Sequence, residues 1–135
     1  LTRVPLLHFL SIITLLTAFS SCKKDVEDRL PGQWNYNEIG TSITSYNGSS
    51  SSQDINRSGI INFNEDGSGS LNVSSSVQSI TWTASNDHVK IIDNGEAIQY
   101  SVITNDKTLQ VWEGQHTETG SDFTFVKNLE ITLTQ

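Results

Sequence analysis

From Gly32 onward, apolar and polar residues alternate with a period of two in one short run after another. Successive side chains of a β-strand point to opposite faces of the sheet, so this alternation is typical of strands with one buried face. The run Ile98, Tyr100 and Val102, interleaved with polar Gln99 and Ser101, is one example. No segment of this region offers a helical apolar stripe of useful length. The chain beyond Gly32 is therefore predicted to be all-β.

Turn residues divide this region into about eight strands. Asp66-Gly67 and Asn94-Gly95 are the clearest hairpin turns, because glycine accepts positive φ. Two polar stretches, residues 40–58 and 114–121, are predicted to be loops, and a weak strand at 43–46 within the first stretch is an alternative. Sequential hairpins favour a small up-and-down antiparallel β-barrel, since closure removes the edge strands. A β-sandwich is the alternative.

The N-terminal segment has the pattern of an export signal. Arg3 precedes an apolar run of roughly fifteen residues, which is shorter than the roughly twenty that a membrane-spanning helix needs. Ser20 and Ser21 then lead into Cys22, the single cysteine, so no intramolecular disulfide can form. We predict a signal peptide at 1–21, a lipidated Cys22 with a tether at 22–31, and a barrel domain at 32–135.

The segment ending in Ser20-Ser21-Cys22 resembles the lipobox of bacterial lipoproteins, in the looser form found in the Bacteroidota. That resemblance implies diacylglycerol on Cys22 and attachment to the cell outer membrane. Lys23 and Lys24, followed by acidic residues, are similar to the charged tract that follows the anchor in that group.

The start of the predicted barrel resembles a second family. Gly32-Gln33-Trp34 is similar to the Gly-x-Trp motif that opens lipocalins, and residues 59–69 resemble the next hairpin of bacterial lipocalin-like lipoproteins. The resemblance implies that Gly32 and Trp34 close one end of the barrel. Lipocalins commonly stack a late arginine on this tryptophan, but no arginine follows Arg57 here, and Lys127 is the nearest substitute. The C-terminal helix of larger lipocalins is also absent from the sequence pattern.

Several aromatic residues fall on the predicted inward face. They either pack a solid core or line a ligand cavity, and the candidates for the cavity are Tyr36, Phe63, Trp82, Tyr100 and Phe125. Trp112 falls out of register with Leu109 and Val111. It is predicted to be either an outward contact point for a partner or glycan, or a side chain covered by the loop at 114–121.

The sequence offers no catalytic or metal-binding constellation. No Gly-x-Ser-x-Gly motif occurs, and His88 and His116 lack neighbours at metal-ligand spacing. Acidic residues outnumber basic ones by 15 to 8, which disfavours binding to nucleic acid. We therefore expect a monomer that is not an enzyme and has no cofactor.

Two functions fit these features. The first is a lipid-anchored envelope lipoprotein whose barrel holds a small apolar or amphipathic ligand. The second is a structural lipoprotein, or one that binds a protein or glycan, with a solid core and Trp112 as its contact.

Overall fold

A computed structural model describes residues 24–135. The predicted signal peptide and Cys22 lie outside the described residues. A short helix precedes eight strands, whose bounds are α1 (Val26–Arg29), β1 (Gly32–Tyr46), β2 (Ser49–Phe63), β3 (Ser68–Val73), β4 (Ser76–Ala84), β5 (His88–Asp93), β6 (Glu96–Asn105), β7 (Leu109–Thr119) and β8 (Phe123–Thr134). None of the helical structure within 24–135 is long and apolar enough to cross a membrane.

The eight strands form a closed up-and-down antiparallel barrel, which confirms the predicted fold class over the sandwich alternative. Each strand pairs with the next, and β8 closes the barrel by pairing with β1 from Asn35–Thr134 to Tyr46–Phe123. Asn94 and Gly95 both have positive φ, as their turn type requires. The eight-strand barrel encloses an interior large enough for side chains or one small ligand.

The predicted loops at 40–58 and 114–121 are wrong. β1 and β2 pair along all fifteen residues of each strand, and the chain reverses at Asn47-Gly48. β7 likewise continues to Thr119, paired with β8. These strand ends are mostly exposed on both faces, so serine and threonine occupy them without the apolar alternation by which strands are predicted.

Aromatic side chains fill one end of the barrel, which we call the closed end. The ring of Phe63 lies edge-on to Trp82, with centroids 5.4 Å apart, and to Trp112, with centroids 6.1 Å apart. Trp34 is fully buried, and its indole N–H donates to the carbonyl oxygen of Leu30 at 2.8 Å. Both polar and apolar parts of Trp34 are therefore satisfied at this end.

The closed end includes residues that were assigned to the tether. Val26 and Leu30, on either end of α1, are fully buried in the core. The carbonyl oxygen of Lys24 accepts hydrogen bonds from Arg29 Nε and Asn105 Nδ2, both at 3.2 Å. The prediction of a free tether up to residue 31 is therefore wrong for residues 24–30, whose two apolar side chains cap the barrel.

Glycine occupies two strand positions at which a side chain would meet neighbouring atoms. Gly59 pairs opposite Tyr36, and a Cβ at Gly59 would collide with the carbonyl oxygen of Asn72. Gly114 pairs opposite Tyr100, whose ring lies where a side chain at 114 would be. The absence of a side chain at Gly114 therefore leaves room for the Tyr100 ring.

Trp112 is fully buried, so the predicted surface contact at this residue is wrong. The inward side chains at the start of β7 are Gln110 and Trp112, whereas Leu109 and Val111 lie half-buried on the other face. Gln110 tolerates burial because its amide donates to Asn105 Oδ1 at 2.7 Å and to the carbonyl oxygen of Asp106 at 3.0 Å. Because Gln110 is polar yet lies on the inward face, the sequence pattern of β7 suggested that Leu109 and Val111 point inward instead.

Replacing Trp112 with alanine should lower the free energy of unfolding by about 3–5 kcal/mol, because it leaves a cavity among packed rings. Urea denaturation followed by circular dichroism measures the change. Tyr46→Ala is the matched control: Tyr46 is 57% exposed, so its loss should change stability by about 0.5 kcal/mol or less. Equal effects of the two substitutions would contradict the buried position of Trp112.

Candidate functional site

Beyond the aromatic layer, the other half of the barrel contains a cavity of about 270 Å³. This is just under the roughly 300–1,000 Å³ of most small-molecule sites. Its apolar wall comes from the middle of five strands: Ile61, Leu71, Ile91, Ile98, Leu129 and Ile131. On each strand that contributes both kinds of residue, the charged ones stand farther from the closed end than the apolar ones. The cavity therefore has an apolar floor and a polar mouth.

A buried carboxylate dominates one side of the mouth. Glu38 is 2% exposed and pairs across the β1–β2 ladder with Arg57. The guanidinium donates from Nε to Glu38 Oε1 at 2.8 Å and from its terminal nitrogen to Oε2 at 3.0 Å. The Tyr36 hydroxyl donates to Oε2 as well. Glu38 thus receives three hydrogen bonds, the kind of compensation that a buried charge requires.

The pKa values of three groups near the Glu38 carboxylate are raised. Burial, reinforced by the negative charge of Glu38, raises the pKa of the Tyr36 phenol far above its usual value. The hydrogen bond to Glu38 raises the pKa of the Arg57 guanidinium further. Burial, followed by the charge of Glu38, also raises the pKa of Tyr100. Both phenols therefore stay neutral and Arg57 stays charged at physiological pH.

The opposite side of the mouth has a second ion pair and one carboxylate oxygen that lacks a partner. Lys127 Nζ donates to Glu96 Oε1 at 2.9 Å and lies 5.8 Å from the centroid of the Phe125 ring. Asp93 Oδ1 is buried and accepts no hydrogen bond from any residue that the structure describes. Leaving a buried acceptor unsatisfied costs about 1–3 kcal/mol, and more when the group is charged.

The structure brings some of the predicted site residues together and separates others. Tyr36 and Tyr100 line the cavity. Phe63 and Trp82 instead contact each other in the aromatic layer of the closed end, outside the cavity wall. Phe125 is half-buried beside Lys127 and is not part of the wall. Because Lys127 lies at the mouth, it does not take the place of the arginine that stacks on the tryptophan in lipocalins.

Sequence reasoning missed the charged residues of the mouth. Glu38 lies two residues after Tyr36, so it shares the inward register of β1, and this register was the available signal. Arg57 fell within the stretch that was predicted to be a loop, which hid its register. Asp93 and Glu96 flank the Asn94-Gly95 turn, and the sequence pattern singled out neither of them.

A small ionisable cluster lies near the rim. Glu96, His116 and Glu118 each offer one ligand atom, all within 4.8 Å of one another, and His116 Nε2 lies 3.0 Å from Glu118 Oε1. These three could contact a metal ion, but the Lys127 ammonium already occupies the Glu96 carboxylate. The arrangement is accounted for by the Lys127–Glu96 ion pair and the hydrogen bond between His116 and Glu118.

No protein-family model matches the chain, and no curated protein matches it. Among solved structures, the chain is similar to one described as a redesigned beta barrel, with 15% identity and a TM-score of 0.45. That match covers 86% of this chain and 97% of the other. The class is defined by the strand pairing of this chain itself: a small, closed, eight-stranded antiparallel barrel with an internal cavity.

Replacing Arg57 with alanine should lower the free energy of unfolding by about 2 kcal/mol. The substitution leaves Glu38 buried without its cation, which costs about 3–5 kcal/mol for a fully buried pair, and the partial exposure of Arg57 reduces the figure. Urea denaturation measures it, with exposed Lys90→Ala as the control.

The double variant Arg57→Ala, Glu38→Gln should recover part of that loss, since no charge is then left unpaired. If the loss of stability in the double variant equalled the sum of the losses in the two single variants, Arg57 and Glu38 would not be energetically coupled.

Proposed function

We propose that this chain is a lipid-anchored cell-envelope lipoprotein whose lipocalin-like barrel binds a small amphipathic molecule. The observation that carries the proposal is the cavity of about 270 Å³ in the open half of the barrel. Its apolar floor favours a hydrocarbon group, since burial of apolar surface contributes roughly 25 cal/mol per Å². Its polar mouth offers hydrogen-bonding groups to a head group.

The position of α1 supports a particular orientation on the membrane. Lys24 is hydrogen-bonded to Arg29 and, at the closed end, to Asn105, the last residue of β6. Two residues of extended chain reach at most about 7 Å. Lipid on Cys22 would therefore hold the closed end toward the outer membrane, with the cavity mouth facing away from it.

The burial of Trp112 weakens the alternative of a partner-binding or structural lipoprotein, because that residue was its main candidate contact. We propose ligand binding rather than catalysis because Arg57 and Lys127, the two cations that line the mouth, are both held by carboxylates. The acidic net charge of −7 supports a role that does not involve nucleic acid.

Filling the cavity should abolish binding. Protein purified from its own membrane should carry a small ligand in native mass spectrometry, and emptied protein should bind octanol in titration calorimetry. Ile91→Phe and, independently, Leu129→Phe should each remove that binding by occupying the floor. Val77→Phe, on a 69% exposed position, is the control and should bind normally. Absence of both a native ligand and octanol binding would contradict the proposal.

Replacing Cys22 with serine should move the protein from the membrane fraction to the soluble fraction, because serine has no thiol to accept the diacylglycerol. Fractionation of cells labelled with a radioactive fatty acid measures both location and lipid. Unchanged labelling of the Cys22→Ser variant would show that the lipid is carried elsewhere.

A further inference from the structure

The charged groups that line the cavity mouth are unequal in number. Among residues 24–135, three carboxylates, on Glu38, Asp93 and Glu96, face two cations, on Arg57 and Lys127. Arg57 is bound through two nitrogens to Glu38, and Lys127 is bound to Glu96. The formal charge left over is one negative charge, and it resides on Asp93, the carboxylate with an unpartnered buried oxygen.

The charges at the cavity mouth disfavour binding of an anionic head group. Binding to Arg57 would place it beside Glu38, a buried carboxylate that already accepts two hydrogen bonds from the guanidinium. Binding to Lys127 would place it beside Glu96, which already accepts a hydrogen bond from the ammonium, and in the same mouth as Asp93. Each route places a second negative charge among groups that already have an excess of negative charge.

The same charges favour binding of a cationic head group. A protonated amine supplies hydrogen-bond donors to the carboxylate of Asp93, which lines the cavity, and neutralises the remaining charge without breaking either ion pair. An alkylammonium keeps its charge at neutral pH, as the lysine side chain does. Its hydrocarbon part would lie on the isoleucine and leucine side chains of the cavity floor.

We propose that the cavity selects a small amphiphile with a protonated amine head group, and that Asp93 is the counter-ion that binds it. This rests on the proposed function and specifies the chemical class of its ligand. Asp93 lies at the end of β5, next to the tight turn at Asn94-Gly95, so the backbone that holds its carboxylate is fixed by the hairpin. The carboxylate is therefore positioned before the ligand arrives, which reduces the ordering cost of binding.

Three probes of equal chain length test the proposal: octylamine, octanol and octanoate, titrated by calorimetry at physiological salt, where surface charges are largely screened. Octylamine should bind at least roughly tenfold more tightly than octanoate, as one charge-assisted hydrogen bond predicts. Asp93→Asn should remove most of that preference while leaving octanol binding unchanged. Asp28→Asn, at an exposed position of α1, removes the same charge and should keep the preference.

The outcomes separate this inference from the proposed function. If octanol binds and Ile91→Phe blocks it, but octanoate binds as tightly as octylamine, the amine preference is wrong and the binding function stands. The same conclusion follows if Asp93→Asn leaves the preference intact or if Asp28→Asn removes it. If none of the three probes binds, both proposals fail.

Discussion

Closure of the sheet by the β1–β8 ladder is the constraint on which the rest of the structure depends. Twelve residue pairs, from Asn35–Thr134 to Tyr46–Phe123, join the first strand to the last. With this seam in place no strand of the barrel is left as an edge, and the inward faces of all eight strands converge on one interior. Without it, Glu38 on β1 would no longer lie in the same enclosed space as Asp93 on β5.

The sequence predicted the features that apolar periodicity encodes. Alternation and turn residues were enough to predict eight antiparallel strands and a closed barrel. The closing role that the resemblance implied for Gly32 and Trp34 stays a prediction, although Trp34 is fully buried. Periodicity failed where inward residues are polar. Gln110 shifted the apparent register of β7, and the serine-rich ends of β1 and β2 were interpreted as a loop although the structure pairs them fully.

The same limitation explains why the charged mouth was missed. A charged residue on an inward position looks, in sequence, like a surface residue of the opposite register. Only the fold shows that Glu38 and Arg57, nineteen residues apart, are cross-strand partners, and that Asp93 and Lys127 line the same cavity. Long-range pairing of this kind depends on strand order and register, which local patterns specify only in part.

The two halves of the barrel interior differ in how they are packed. The closed end is filled by Trp34, Phe63 and Trp112, which need little besides burial and an occasional hydrogen bond. The open half retains a cavity and an ion pair between buried Glu38 and partly exposed Arg57. Replacing a buried ion pair with apolar side chains often stabilises a protein. Because apolar side chains fill the closed end of the same barrel, similar side chains could also fill the open half. Stability alone therefore does not account for the charged cavity. The amphiphilic ligand that we propose, which complements both the isoleucine and leucine floor and the excess carboxylate, would account for it.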